Sequence, residues 1–232
     1  MEEAALLQQF RELRLRARDG ELTEYDYDNF ISTHLDASKR RADFAGDDVY
    51  RLVTTRKLRD AQNLETLKGH VLNGAPAICI PAVHSSPIAE RAVDDDLGLA
   101  RSLVLCIHAR VMLTKNISVR HGLCNGTMGT VYDIMCNEKG DAVAVLLRVK
   151  KRTLTENGYS GAPFLETLPP GDTVIPADEV VIAVDRWQEK FTEAKETHTR
   201  DQFPLMLAWC VTIHNVPLHI LLLPSITFIN DF

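Results

Sequence analysis

Residues 103–134 read LVLCIHARVMLTKNISVRHGLCNGTMGTVYDI, and the reading of this stretch decides the fold class. Two β-rich segments, 103–113 and 129–134, flank a polar loop punctuated by Gly122, Gly126 and Gly129. Glycines at that spacing let the chain turn through positive φ before it re-enters a strand. A wide turn in a small β-barrel and a phosphate cradle both use such a loop, and spacing alone favours the turn. Outward from this stretch, 142–149 and 173–184 continue the short strands, the second interrupted by Pro176. Regular short strands with Gly and Asn turns predict a small β-barrel over 103–186. Residues 187–199 are charged and read as a connector helix. Residues 205–213 form a near-continuous apolar run, as expected of one interior parallel strand whose carboxyl end carries Thr212 and His214 to a crevice.

Toward the amino terminus, Leu6, Phe10 and Leu13 recur at helical spacing, with Arg11, Arg14, Arg16 and Arg18 distributed around them. Interleaved acids make that basic face a solvated one before a phosphate-binding one. Asp19 and Gly20 end the helix, and Thr23 with Asp26 forms a capping-box pattern that starts another. Beyond a polar link, 49–54 reads as a buried strand and 56–67 as a helix carrying Asn63, with a further short strand at 75–83.

The chain of 232 residues, 45% hydrophobic and 25% charged, is long and apolar enough for a core of one or two domains. A net charge of -6 excludes a uniformly basic nucleic-acid coat, so any phosphate site must be local. Arg148, Lys150, Lys151 and Arg152 form the dense basic cluster, which serves equally as a phosphate contact or as a solvated strand edge. Cys79, Cys106, Cys124, Cys136 and Cys210 make no CxxC pair and read as reduced thiols in an intracellular protein. Neither cysteines nor histidines show zinc-ligand spacing, and the acidic VIPADE at 174–179 is set aside as a metal site because Pro176 spoils the strand. The amino terminus lacks a secretory pattern, which leaves the sequons at Asn116 and Asn125 unglycosylated. The apolar 216–229 is too short and too broken by Pro217 and Pro224 to span a bilayer, so no membrane partner is expected.

Residues 103–134, taken with RDQFPLMLAWCVTIH at 200–214, resemble the Pif-type (petite integration frequency) DNA helicases, superfamily 1 enzymes related to RecD, and their Helitron relatives. Those proteins carry GxRVMLxxN, GLxNGxxGxV and RxQFPLxLAxAxTIHKSQG in the same order. The resemblance implies an α/β fold: an incomplete second RecA-like motor domain with a parallel sheet and an inserted small β-barrel. It divides the chain into an N-terminal helical segment (1–46), the first part of the motor domain (47–102), the inserted barrel (103–186) and the return to the motor domain (187–232), divergent from 215. It implies contacts to single-stranded DNA from Thr55, Arg56, Asn63, Asn116, Asn125, Lys150, Thr212 and His214. In a whole enzyme it implies ATP- and Mg-driven translocation and duplex unwinding in repair, recombination and telomere maintenance, in the nucleus.

The sequence departs from that pattern at the chemistry. His214 is followed by Asn215, Val216, Pro217 and Leu218, so the Lys, Ser, Gln and Gly of HKSQG are absent. No arginine follows Arg200, and no Gly-Lys dipeptide is present to form a phosphate loop. The expectation is therefore a helicase fragment without catalytic residues or a cofactor of its own, from a truncated or mis-spliced gene model or a decaying transposon copy, with a separate chain as a candidate source of the first motor domain. The alternatives are a stand-alone single-strand binding module and an inert sheet with an exposed edge.

Overall fold

The computed structural model describes residues 50–150, 178–212 and 226–228, together with scattered positions among the first 26. The chain divides into two units, 1–49 and 50–232. In the first, Gln8, Glu12, Leu15, Arg16 and Asp19 are helical, and Gly20 ends that run at φ 74°. The capping box forms as the sequence predicts: the Asp26 backbone N–H donates to Thr23 Oγ1 (3.1 Å), and the Thr23 N–H donates to Asp26 Oδ2 (3.0 Å). Arg16 donates to both oxygens of the same carboxylate at 2.8 and 2.6 Å.

The second unit opens with β1 (Tyr50–Val53) and α1 (Arg56–Leu72). Thr55 caps α1 by accepting from the Leu58 N–H, and burial at Arg59, Asn63 and Leu67 recurs every four residues. The helix runs past the expected end at 67. Next come β2 (Ala77–Pro81), β3 (Val83–His84), α2 (Pro87–Arg91) and α3 (Asp94–Leu97). Then follow β4 (Ser102–Cys106), β5 (Arg110–Leu113), β6 (Met128–Cys136), β7 (Ala142–Lys150) and β8 (Glu179–Val184). The chain continues through β9 (Trp187–Glu193), β10 (Glu196–Gln202), β11 (Leu205–Leu207), β12 (Cys210–Thr212) and β13 (Ile226–Phe228).

The parallel component of the expected fold is present: β1 lies between β12 and β13, parallel to both. Of the inserted barrel expected over 103–186, no closed form is present among the described residues, and 151–177 lie outside them. Among the described residues the antiparallel strands form an open five-stranded sheet in the order β11-β5-β6-β7-β8, beside a β2-β4 ribbon and a β3-β10-β9 sheet. The chain turns a corner at His108. That residue takes φ 66°, the Ala109 N–H bonds back to Cys106, and the expected single strand 103–113 is split between two sheets, β4 on β2 and β5 on β6. The run is mostly apolar on both sides of His108, and the single polar positions His108 and Arg110 are too few to mark a corner by hydropathy.

Two further expectations are corrected. The connector helix over 187–199 is a β-hairpin, β9 paired antiparallel with β10. Its alternation was hidden because the buried positions of β10 are His198, Arg200 and Gln202, polar side chains that a hydropathy pattern assigns to solvent. The run 205–213 is not one strand: β11 pairs antiparallel with β5, the chain crosses at Ala208 and Trp209, and only β12 is parallel to β1. β12 is buried throughout and β11 is buried or half-buried, which leaves no exposed position to mark the break.

The core is one cluster about the five-stranded sheet and the β2-β4 ribbon, including Leu105, Val111, Leu147, Ile182, Phe203 and Leu205. A smaller cluster of Leu52, Met112, Met128, Ala208 and Val211 lies where β1 and β12 meet the β11 and β5 end of that sheet. No described helix is long and apolar enough to cross a membrane.

Candidate nucleic-acid interface

Parallel strands deliver polar groups at their carboxyl ends, and β1 and β12 end together: Val53 is in register with Thr212. Thr54 and Thr55 follow β1 and are exposed, whereas Thr212 is 4% exposed. Arg56 begins α1, with a side chain 61% exposed and its Nε 3.4 Å from Asp95 Oδ2. A cation and backbone N–H groups at a helix start beside strand-end hydroxyls make a physically sound setting for a phosphate.

Asn63 acts differently from an exposed contact. It is buried, its Nδ2 donates to the carbonyls of Leu207 (3.0 Å) and Cys210 (2.8 Å), and its Oδ1 accepts from the Cys210 N–H (2.8 Å). The side-chain amide thus clamps the start of β12 to α1, which fixes the position of Thr212 relative to Thr55. His70, two turns further along α1, stacks on Trp209 at 5.0 Å between ring centroids and braces the same crossing. Cys210, buried between these contacts, has its thiol pushed up to about 11 by desolvation.

The glycine loop lies next to this rim through Asp95. Gly122 and Gly126 take the positive φ the sequence requires, 77° and 94°. Gly129 does not; it lies within β6, where a Cβ would stand 3.0 Å from the Arg148 carbonyl oxygen. Asn116 and Asn125 are both exposed and tied together, the Asn125 N–H donating to Asn116 Oδ1 at 2.8 Å. Asn125 lines a cleft of about 200 Å³ with Thr114, Lys115, Asp95 and Asp96. Asn63 and Arg59 line one of about 310 Å³ that shares Asp95, Gly98, Thr114 and Met206 with the first.

Lys150 lines neither cleft. It sits on the β7–β8 pair, bonded to Glu179 (3.0 Å) and Asp178 (3.2 Å), and its ammonium pKa is raised, chiefly by the Glu179 hydrogen bond. His214 lies outside the described residues, as do Lys151 and Arg152.

The sequence reading passed over the residues that hold this region rigid. Arg200 is completely buried. Its Nη1 donates to Asp94 (2.6 Å) and to the Leu99 carbonyl (2.8 Å), and its Nη2 donates to the carbonyls of Ala89 (2.7 Å), Glu90 (3.2 Å) and Ala92 (2.8 Å). One guanidinium therefore organises the whole 89–99 segment. Arg59 is likewise buried, bonded to Asp60 (2.7 Å) and to both oxygens of Asp95 (3.1 and 3.3 Å). The available signal for Arg200 was its place at the head of the RDQF motif; Arg59 and Asp95 carried none. Among the described residues no group of three His, Cys, Asp or Glu side chains is placed to hold a metal.

Comparison with known proteins gives these arrangements a context. The family described as DNA helicase Pif1, 2B domain, matches residues 98–134. The ATP-dependent DNA helicase PIF1 of Danio rerio is 28% identical over 165 residues, 70% of this chain and 21% of that protein. Its Mus musculus counterpart is 32% identical over 133 residues, 57% of this chain and 16% of that protein. The chain therefore spans about a fifth or less of the length of these curated relatives. The crystal structure of Pif1 helicase from Candida albicans superposes with a TM-score of 0.59 at 21% identity, covering 90% of this chain and 44% of that one. Bacteroides sp Pif1 in complex with ADP-AlF4 gives 0.51 at 18% identity, covering 90% and 40%. The chain is similar in sequence to the PIF1 helicases over more than half its length and similar to them in fold, as the resemblance in residues 103–134 and 200–214 implied.

Proposed function

We propose that this chain supplies part of the second motor domain, with its 2B insertion, of a Pif-type DNA helicase, and that it binds single-stranded DNA. The interface is the rim formed by Thr54, Thr55 and Arg56 over the buried Thr212, extended by the Asn116–Asn125 loop. The observation that carries this reading is the Asn63 clamp. A buried amide with three hydrogen bonds holds the start of β12 to the helix that Thr55 caps, so two hydroxyl-bearing strand ends and a cation are kept in one fixed array. Such an array contacts phosphates and sugar rather than base edges, so it holds single strands of any sequence.

On this reading Asn63 positions the interface, while Thr54, Thr55, Arg56, Asn116 and Asn125 touch the strand. Lys150, engaged by two carboxylates, contributes little. ATP and magnesium act in the assembled helicase, where the phosphate loop is supplied outside these 232 residues, since these contain no Gly-Lys dipeptide. The chain by itself turns over no ATP. The assembled enzyme couples ATP hydrolysis to translocation and unwinding, in a nuclear setting of repair, recombination and telomere maintenance.

The test is fluorescence anisotropy of the purified chain with a labelled oligo-dT, across a salt series, with duplex as control and with or without ATP. The expected result is single-strand binding that weakens with salt and is unchanged by ATP, together with no phosphate release. Each phosphate contact contributes a slope of about -0.7 in log K against log salt. A folded chain that shows no preference for single strands refutes the proposal.

A further inference from the structure

Resting on the proposed interface, the geometry points to Asp95 as a built-in competitor of the nucleic-acid phosphate. It holds Arg56 in the unliganded protein and surrenders it to the bound strand. Asp95 meets both arginines of the first turns of α1. Its Oδ2 lies 3.3 Å from Arg59 Nη2 and 3.4 Å from Arg56 Nε, and its Oδ1 lies 3.1 Å from Arg59 Nη1.

The two partners differ in kind. Arg59 is 5% exposed and depends on its carboxylates, with Asp60 as a second one, so its bond to Asp95 is structural. Arg56 is 61% exposed and reaches Asp95 through a single, longer contact, so the guanidinium can turn to an incoming phosphate at the cost of one weak, solvated pair. Phosphate offers the planar guanidinium the two-point bonding that Asp95 does not.

Asp95 is a fixed competitor and not a wandering loop side chain. Its neighbour Asp94 is bonded to the buried Arg200, which also binds the carbonyls on both sides of α3, Ala92 and Leu99. Behind it, Thr114 Oγ1 donates to the Gly98 carbonyl, linking the acidic turn to the strand that leads into Asn116. The acidic turn thus sits between the two parts of the proposed interface and makes it discriminating. A small anion cannot displace Asp95, whereas a strand held at several points can. Asp95 thereby sets the threshold for single-strand binding.

The experiment measures oligo-dT binding by the wild-type chain and by Asp95→Asn, Asp96→Asn, Arg56→Gln and the Asp95→Asn/Arg56→Gln double variant, with folding checked by thermal melts. Asp96 is exposed and one residue away, so Asp96→Asn reports the mere loss of a negative charge. Asp95→Asn is expected to bind roughly three- to fivefold more tightly, the range of an exposed ion pair, and Asp96→Asn less than half as much in effect. The gain should vanish in the Arg56→Gln background. In the wild-type protein, the Arg56 Nε–H resonance should shift on titration with oligo-dT and that of Arg59 should stay, a readout that survives even if Asp95→Asn folds poorly. A gain equal in Asp95→Asn and Asp96→Asn, a gain that persists without Arg56, or an unmoved Arg56 resonance overturns the proposal. Wild-type binding with no gain in Asp95→Asn removes the competitor alone; absence of binding in every variant removes the interface with it.

Discussion

Replacing Asn63 by Ala removes the amide that joins α1 to β12, and the cost follows from what is left behind. Three hydrogen bonds are lost, and the Cys210 N–H, buried in β12, is left without the Oδ1 acceptor. A net hydrogen bond is worth about 1 kcal/mol, and an unsatisfied buried donor costs about 1–3 kcal/mol. The two carbonyls each retain a second lone pair, which tempers their share, so the total is roughly 2–4 kcal/mol. Equilibrium urea denaturation of Asn63→Ala should show this loss as a lower midpoint with an unchanged m-value. Asn63→Asp tests the polarity of the clamp. It keeps the acceptor for Cys210 but sets a carboxylate against the Leu207 and Cys210 carbonyl oxygens, so at neutral pH it should be at least as damaging as Ala. A loss below about 0.5 kcal/mol for Asn63→Ala, the size of an ordinary surface change, would refute the clamp. So would an Asn63→Asp variant as stable as the wild type.

The β9–β10 turn places two non-glycine residues, Ala194 (φ 52°) and Lys195 (φ 67°), in the left-handed region. Ala194→Asn with Lys195→Gly supplies the residues such a turn favours and should raise stability by roughly 1 kcal/mol, read as a higher melting temperature. His84 is depressed below its ordinary value of 6.5, first by burial and then by the Arg200 charge. The fold therefore prefers the neutral ring: its contribution is complete above pH 6.5 and declines as the pH falls through 6.5 toward the folded value. His84→Gln should flatten the stability profile across that window. Asp26 is held well below the ordinary 3.8 by its hydrogen bonds to Arg16 and Thr23. The Asp26→Asn variant should accordingly lose the part of the acid transition that sets in below pH 3.8 and runs to the folded value.

The sequence reading succeeded where local chemistry is explicit and failed where burial removes the pattern. The helix carrying Asn63, the Thr23 and Asp26 box, and the positive φ at Gly122 and Gly126 each follow from a residue whose own preference decides the conformation. The sheets were less legible. Residues 103–113 and 205–213 are mostly apolar on either side of His108 and Ala208, so no alternation marks where the chain turns from one sheet to another. The hairpin 187–202 was concealed for the opposite reason, because its buried face carries Arg200, Gln202 and His198 and looks like solvent-facing sequence. The same blindness applied to the site. A buried arginine that binds five oxygens, or an aspartate shared by two arginines, leaves no local signature, because each depends on contacts tens of residues apart.

Amide hydrogen exchange of the chain with and without a saturating oligo-dT tests the central claim most directly, because it reports where the strand lies as well as whether it binds. The account predicts added protection at residues 54–58 and 114–126, with the β7–β8 strands around Lys150 unchanged. Protection confined to β7 and β8, or none at 54–58 under conditions where anisotropy shows binding, would contradict it.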